Sequence, residues 1–239
     1  MTKTRKLSAS QAARETLALL GAEANAARAS SYQRFFKEPV EWFGVENKRS
    51  MAIRADLIAR VKEHWTIEDA VRFCKAMLKD SHMEARGTGF QVVAHFVGQA
   101  KPELLADVRG WFERACGNWG LVDNLAPSVL APLLERHPRL VPDVVKWTES
   151  PNMWLRRAAA VAFVPLVGKG KKKHLDTAYG VAKRLFGDKE DLLHKAVGWL
   201  LREAGKADMP RLEKFLLAEG PRIPRTTVRY AIERFSKEN

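Results

Sequence analysis

Cysteine is scarce in this chain: its two cysteines, Cys74 and Cys116, stand far apart, with no C-x-x-C spacing and no clustered histidine. That pattern excludes a disulfide framework and a zinc site, and predicts two buried thiols in a reducing compartment. Long hydrophobic runs are missing as well. No segment approaches the ~18 apolar residues that a membrane span needs, and LALLG near the start is too short for the hydrophobic part of a secretion signal. The period-two alternation of β-strands is almost absent.

Acidic side chains are also in short supply, 28 against 41 Lys and Arg in 239 residues, for a formal charge of +13. The excess is uneven: residues 136 to 239 carry 22 basic and 12 acidic groups, net +10, and residues 1 to 135 carry 19 and 16, net +3. A polyanion is the first partner such a field suggests. Charge alone leaves a merely soluble basic protein as an equal alternative.

What fills the chain instead is helical periodicity. RSMAIRADLIARVKEH, IEDAVRFCKAMLKD, PELLADVRGWFERA and LLHKAVGWLLREAG place apolar residues at i, i+3, i+4 and i+7, and Pro or Gly falls between such segments in KEPVEWFG, ERHPRLVP, ESPN, KADMP and EGPRIP. The chain reads as all-α, built of short helices of about 10 to 18 residues.

These helices repeat. The segments starting at Met83, Trp119, Trp154 and Leu192 align with offsets of 36, 35 and 38 residues. That period fits an α-solenoid of the HEAT or armadillo kind, in which antiparallel helix pairs stack around a concave face. We expect a single domain over residues 1–239, with a variable helical segment over 1–30. In this register Arg86, Arg157 and Lys195 take equivalent places, while the second unit has Val122 there and Asp123 one place on. A row of cations interrupted by one carboxylate reads either as a phosphate track in a cationic groove or as a solvated basic edge.

Asp123 lies in NWGLVDNL, four residues after Trp119 and among apolar and amide neighbours. On a helix those two side chains share a face. A lone aspartate of this kind most often caps a helix or pairs with an arginine.

The stretches NWGLVDNLAP, LLERHPRLVPDVVKWTESPNMWLRRAAAV and HKAVGWLLRE, with WFGVENKR at 42 to 49, resemble the AlkD-like DNA alkylation-repair glycosylases, a family built from HEAT-like repeats. The resemblance implies a catalytic carboxylate at Asp123, aromatic walls at Trp119 and Trp199, and an arginine at Arg157 that contacts the DNA backbone near the lesion. The family's W-W-D-x-V-D stretch stands here as Asn118 to Asp123, so its first Trp and first Asp are replaced. A tyrosine common in the family's N-terminal helices falls on Phe35, with Tyr32 as the other choice. Arg86, Lys195, Arg202 and Lys171, Lys172 and Lys173 of the loop VGKGKKKH are further candidates for phosphate contact. His137, His174 and His194 read as residues of helix ends and surfaces with no catalytic part. No metal or cofactor is implied.

The chemistry suits these residues. A purine alkylated at N3 or N7 is cationic and already a good leaving group, so what remains is to stabilise the oxocarbenium character that builds on the sugar. A carboxylate can do that and orient water, and indole faces favour a cationic nucleotide. The expectation is a monomeric, cytoplasmic enzyme, associated with the nucleoid through double-stranded DNA, that excises N3- and N7-alkylpurines. Its rival is a HEAT-repeat scaffold that binds DNA structures or a protein partner without chemistry.

Overall fold

The computed structural model describes residues 7–168 and 171–233, and among these it contains helices and no strand. The all-α expectation holds. The chain forms two compact units, residues 1–101 and 102–239.

The first unit holds α1 (Ala9–Ala22), α2 (Ala26–Gln33), α3 (Asn47–Val61), α4 (Ile67–Met77) and α5 (Met83–Phe96). Ser8 caps α1 by accepting the Gln11 N–H at 3.3 Å, and Thr66 and Asp69 form a capping box at the start of α4. α1 packs on α3 and α4, and α4 on α5, around Phe73, Cys74, Met77 and Phe90, all fully buried. The extended stretch after α2 is held by one carboxylate. Glu84 of α5 accepts the backbone N–H groups of Phe43, Gly44 and Val45 at 3.1, 2.8 and 3.1 Å. Gly44 has φ of 76°, and a Cβ there would collide with the backbone of Asn25 and Ala29, so glycine is required on two counts.

The second unit holds α6 (Leu104–Arg114), α7 (Trp119–Leu125), α8 (Ala131–Arg136), α9 (Val141–Lys146), α10 (Met153–Val161), α11 (Val164–Val167), α12 (Leu175–Leu185), α13 (Asp191–Ala207), α14 (Met209–Glu219) and α15 (Arg225–Ala231). A π-helical turn, Ala126–Leu130, joins α7 to α8. Pro127 and Pro132 interrupt that run: neither has an N–H to give, and the ladder widens locally to accommodate them.

The repeat is visible in the contacts of this unit. Lys171 meets Glu135 across 36 residues, Arg184 meets Glu149 across 35, Arg211 meets Asp176 across 35, and Thr226 donates to Asp191 across 35. Each bridge joins one repeat to the next at the period read from the sequence. Thr226 sits by Asp191 while Glu233 sits by Arg202, so α13 and α15 run parallel, as equivalent helices of successive repeats do. Small residues let these helices close up. Ala158, Ala159, Ala160 and Ala162 of the α10 region are fully buried, and a Cβ at Gly198 of α13 would run into Tyr230 and the Thr227 carbonyl.

Cys74 and Cys116 are buried, as expected. His174 lies at a helix end, as expected, but not at the surface. It is buried at the start of α12 with Nε2 lacking a partner, and burial first, then Lys173, pushes its pKa down. No helix among the described residues is long and apolar enough to cross a membrane.

Candidate active site

α7 begins where Asn118 leaves the extended region and its side chain accepts the Leu121 N–H at 3.0 Å. The helix then turns Leu121, Val122 and Leu125 into the core, all 2% exposed or less. Asp123 is left on the remaining edge, one turn after Trp119. Asn118 is therefore the cap, and Asp123 is the fifth helical residue.

α10 is built alike. Asn152 caps it by accepting the Trp154 N–H at 2.8 Å, and Arg157 is again the fifth residue. Lys195 is the fifth residue of α13. Counted from the caps, Asp123, Arg157 and Lys195 are equivalent, and Arg86, fourth in α5, stands one place off. The one-residue offset of Asp123 in the sequence alignment comes from aligning the second repeat on Trp119, the first residue of its helix, and the third on Trp154, the second of its own.

Equivalent residues on stacked helices face each other, and here two of them carry opposite charge. Arg157 Nε donates to Asp123 Oδ1 at 2.9 Å and Nη2 donates to Oδ2 at 2.8 Å, a two-point fork across 34 residues. The third nitrogen, Nη1, donates to the Leu192 carbonyl in the first turn of α13. Arg157 thus ties three successive repeat helices together.

Its side chain is 6% exposed, whereas that of Asp123 is 19% exposed. Asp123 is the more exposed member of the pair. An ionised carboxylate has about four lone-pair directions, and the fork occupies two of them. Burial pushes the Asp123 pKa up and the Arg157 guanidinium pulls against it, and the result lies above the ordinary aspartate value. Desolvation outweighs the ion pair.

The other predicted residues fall on several elements, and each is described where it lies. Trp119 is half-buried one turn before Asp123, and Trp199 is half-buried on α13, seven residues beyond Leu192. Lys195 pairs with Asp191 at 2.8 Å, Lys171 with Glu135 at 3.2 Å, and Lys172 and Lys173 are exposed. Residues 169 and 170 of the VGKGKKKH loop lie outside the described residues. Arg202 pairs with Glu203 and Glu233. In the first unit Arg86 Nε donates to the Asp80 carbonyl at 2.8 Å, and Phe35 is 70% exposed. Tyr32 is engaged instead, its hydroxyl on the Val45 carbonyl at 3.3 Å and its ring on Trp42. No group of three His, Cys, Asp or Glu among the described residues could hold a metal ion.

Sequence reasoning missed two residues beside the site. Arg156, next to Arg157, pairs with Asp188 at 2.6 Å, and Asp188 side chain is 8% exposed. The signal was a doubled arginine in WLRRA and an acid in the turn before α13, neither distinctive by itself.

A family model for DNA alkylation repair enzymes matches residues 16–235. The chain belongs to that family. DNA repair and DNA as the partner follow for it as a family member. A solved structure, a predicted DNA alkylation repair enzyme from Enterococcus faecalis, superposes with a TM-score of 0.78 at 18% identity, covering 90% of this chain and 98% of its own. At that identity the likeness is one of fold, and it places the family member described here among α-solenoids. No curated protein matches the sequence.

Proposed function

We propose that the protein is a monofunctional DNA glycosylase, which releases cationic N3- and N7-alkylpurines from duplex DNA, with Asp123 as its catalytic carboxylate. The observation that carries this reading is the Asp123–Arg157 fork: a carboxylate oriented by two hydrogen bonds, largely desolvated, and the more exposed member of its pair.

In the proposed reaction the bond between sugar C1′ and the purine nitrogen breaks, and its electron pair goes to the base, cancelling the charge of the alkylpurine. Positive charge develops on the sugar. Asp123 faces it and directs a water at C1′, whose proton leaves to the carboxylate or to solvent. A neutral base and an abasic site result, with the strand intact because no lysine nucleophile takes part.

Trp119 and Trp199 would offer indole faces to the cationic nucleotide and its sugar. Arg157 fixes the carboxylate, and the two N–H groups left of its five would serve a phosphate beside the lesion. Arg86, Lys195, Lys171, Lys172, Lys173 and Phe35 remain proposed DNA contacts. The lesion need not be flipped, since recognition rests on charge and backbone. The enzyme would act as a monomer, without cofactor, where the cell's DNA is.

Incubation with duplex carrying N7-methylguanine or N3-methyladenine, followed by assay of free base, tests the reading. Release of base with the strand uncut supports it. Binding without release at high enzyme excess favours a non-catalytic scaffold.

A further inference from the structure

Two consecutive arginines of α10 reach the start of α13, and they do so differently. Arg157 takes the Leu192 carbonyl with the nitrogen left over from Asp123. Arg156 takes the turn just before. Its Nε donates to Asp188 Oδ2 at 2.6 Å and its Nη2 to Oδ1 at 3.4 Å, while Nη1 donates to the carbonyls of Ser150 and Pro151 at 2.9 and 3.1 Å. One guanidinium clamps the loop that precedes α10 to the loop that precedes α13.

Asp188 closes the clamp from the other side. Besides Arg156, its carboxylate accepts the Glu190 N–H at 3.0 Å, and its carbonyl lies 2.7 Å from His194 Nε2. These bonds fix the backbone between Asp188 and His194, which includes Leu192. Burial raises the Asp188 pKa, but Arg156, the Glu190 N–H and His194 together hold it below the ordinary value. The side chains are 18% and 8% exposed, so water competes weakly for these bonds.

We propose that Arg156 and Asp188 are positioning residues: their ion pair sets the first turn of α13 against α10, so that the Leu192 carbonyl stands where Arg157 Nη1 finds its acceptor and the fork on Asp123 is held in one orientation. This rests on the proposed catalytic role of Asp123 for its effect on rate, but not for its effect on geometry. A guanidinium held at three points has one orientation. Released from Leu192, it keeps the two bonds of the fork but is no longer tied to α13, so guanidinium and carboxylate can shift together and the support that opposes burial of Asp123 weakens. Neither proposed residue touches the substrate.

The pair differs from a plain structural bridge in what its loss would move. The charged group that acts on Asp123 among the described residues is Arg157, so loosening Arg157 is read directly in the Asp123 titration. The experiment compares full-length wild type, Asp188→Asn and Arg156→Lys by carbon NMR of the aspartate carboxyls, with Asp123 assigned from Asp123→Asn. Single-turnover excision of N7-methylguanine, duplex affinity and thermal melting are measured alongside.

We expect the Asp123 midpoint to move to higher pH in both variants, further in Asp188→Asn. We expect excision to fall by about tenfold or more while duplex affinity changes little, because a small misplacement costs rate before it costs binding. Arg156→Lys keeps one charge contact and should sit between wild type and Asp188→Asn. An Asp123 midpoint unmoved in both folded variants overturns the proposal, even if melting temperature falls. If wild type releases no base, the glycosylase reading fails, and the titration alone still decides the positioning role.

Discussion

Asp123 and Arg157 occupy the same step of successive repeat helices and meet as a two-point ion pair at 2.9 and 2.8 Å. In a solenoid, equivalent positions stack, so a row of like residues faces itself along the repeats. Placing opposite charges at one step joins the helices there and leaves a carboxylate at the edge of the core.

Arg157→Lys tests the fork apart from the charge. Lysine retains the cation but cannot hold both carboxylate oxygens and the Leu192 carbonyl in one plane. Excision should fall by roughly ten- to a hundredfold, in line with loss of positioning. Denaturant midpoints should fall too. Excision at wild-type level would show that charge alone suffices.

The pH profile follows from the direction of the Asp123 shift. The ionised form is the one the proposed reaction needs, so excision should decline as pH falls through a folded-state pKa that lies above the ordinary aspartate value. For stability the sign is the reverse of the usual carboxylate. Between the ordinary value and the raised one the folded state binds more protons, so this group's contribution weakens as pH rises across that window. Asp188, whose pKa is lowered, contributes stability that is present above the ordinary value and lost as pH falls through its folded one. Denaturant melts of wild type and Asp123→Asn across acidic pH separate the two, and identical pH slopes would contradict the shift at Asp123.

Affinity for undamaged duplex should fall steeply with salt and depend little on sequence. The chain carries a net +13, and counterion release from phosphate contacts dominates binding of this kind. Titration at several salt concentrations gives the slope. A flat slope would remove the phosphate contacts from the account.

Gly198→Ala should destabilise the second unit by about 1 to 3 kcal/mol, the usual cost of overpacking. The added Cβ would press on Tyr230 and the Thr227 carbonyl and part α13 from α15. Gly180→Ala in α12 is the control, since nothing stands within 4 Å of its Cβ. There the helix should gain roughly 0.5 to 1 kcal/mol. Thermal melting of the two variants should move in opposite directions.

Helices, their breaks and the repeat period were legible because each is written in local spacing and in proline and glycine. The contacts across 33 to 36 residues in the second unit carry that period into three dimensions. Asp123, Trp119, Trp199 and Arg157 could be picked out as letters of a motif. The bond between Asp123 and Arg157 could not, because it depends on which helix step each occupies, and the alignment had set Asp123 one place off. Of the two ordinary roles for a lone aspartate, capping falls to Asn118 and pairing falls to Asp123 itself. Arg156 and Asp188 stayed hidden for a similar reason. A second arginine on a helix reads as surface until its partner, 32 residues on, is seen.

Single-turnover excision of N7-methylguanine from duplex by Asp123→Asn, with melting and a DNA titration on the same sample, tests the central claim. The substitution is nearly isosteric, and Arg157 keeps a carbonyl oxygen to bond. Losing one preorganised contact to a developing charge costs on the order of 3 kcal/mol of barrier, so excision should drop by at least about a hundredfold. Duplex affinity should hold or rise slightly, since a negative charge has left a site for a polyanion. A folded variant that binds duplex and excises at close to the wild-type rate would contradict the assignment of Asp123 as the catalytic carboxylate.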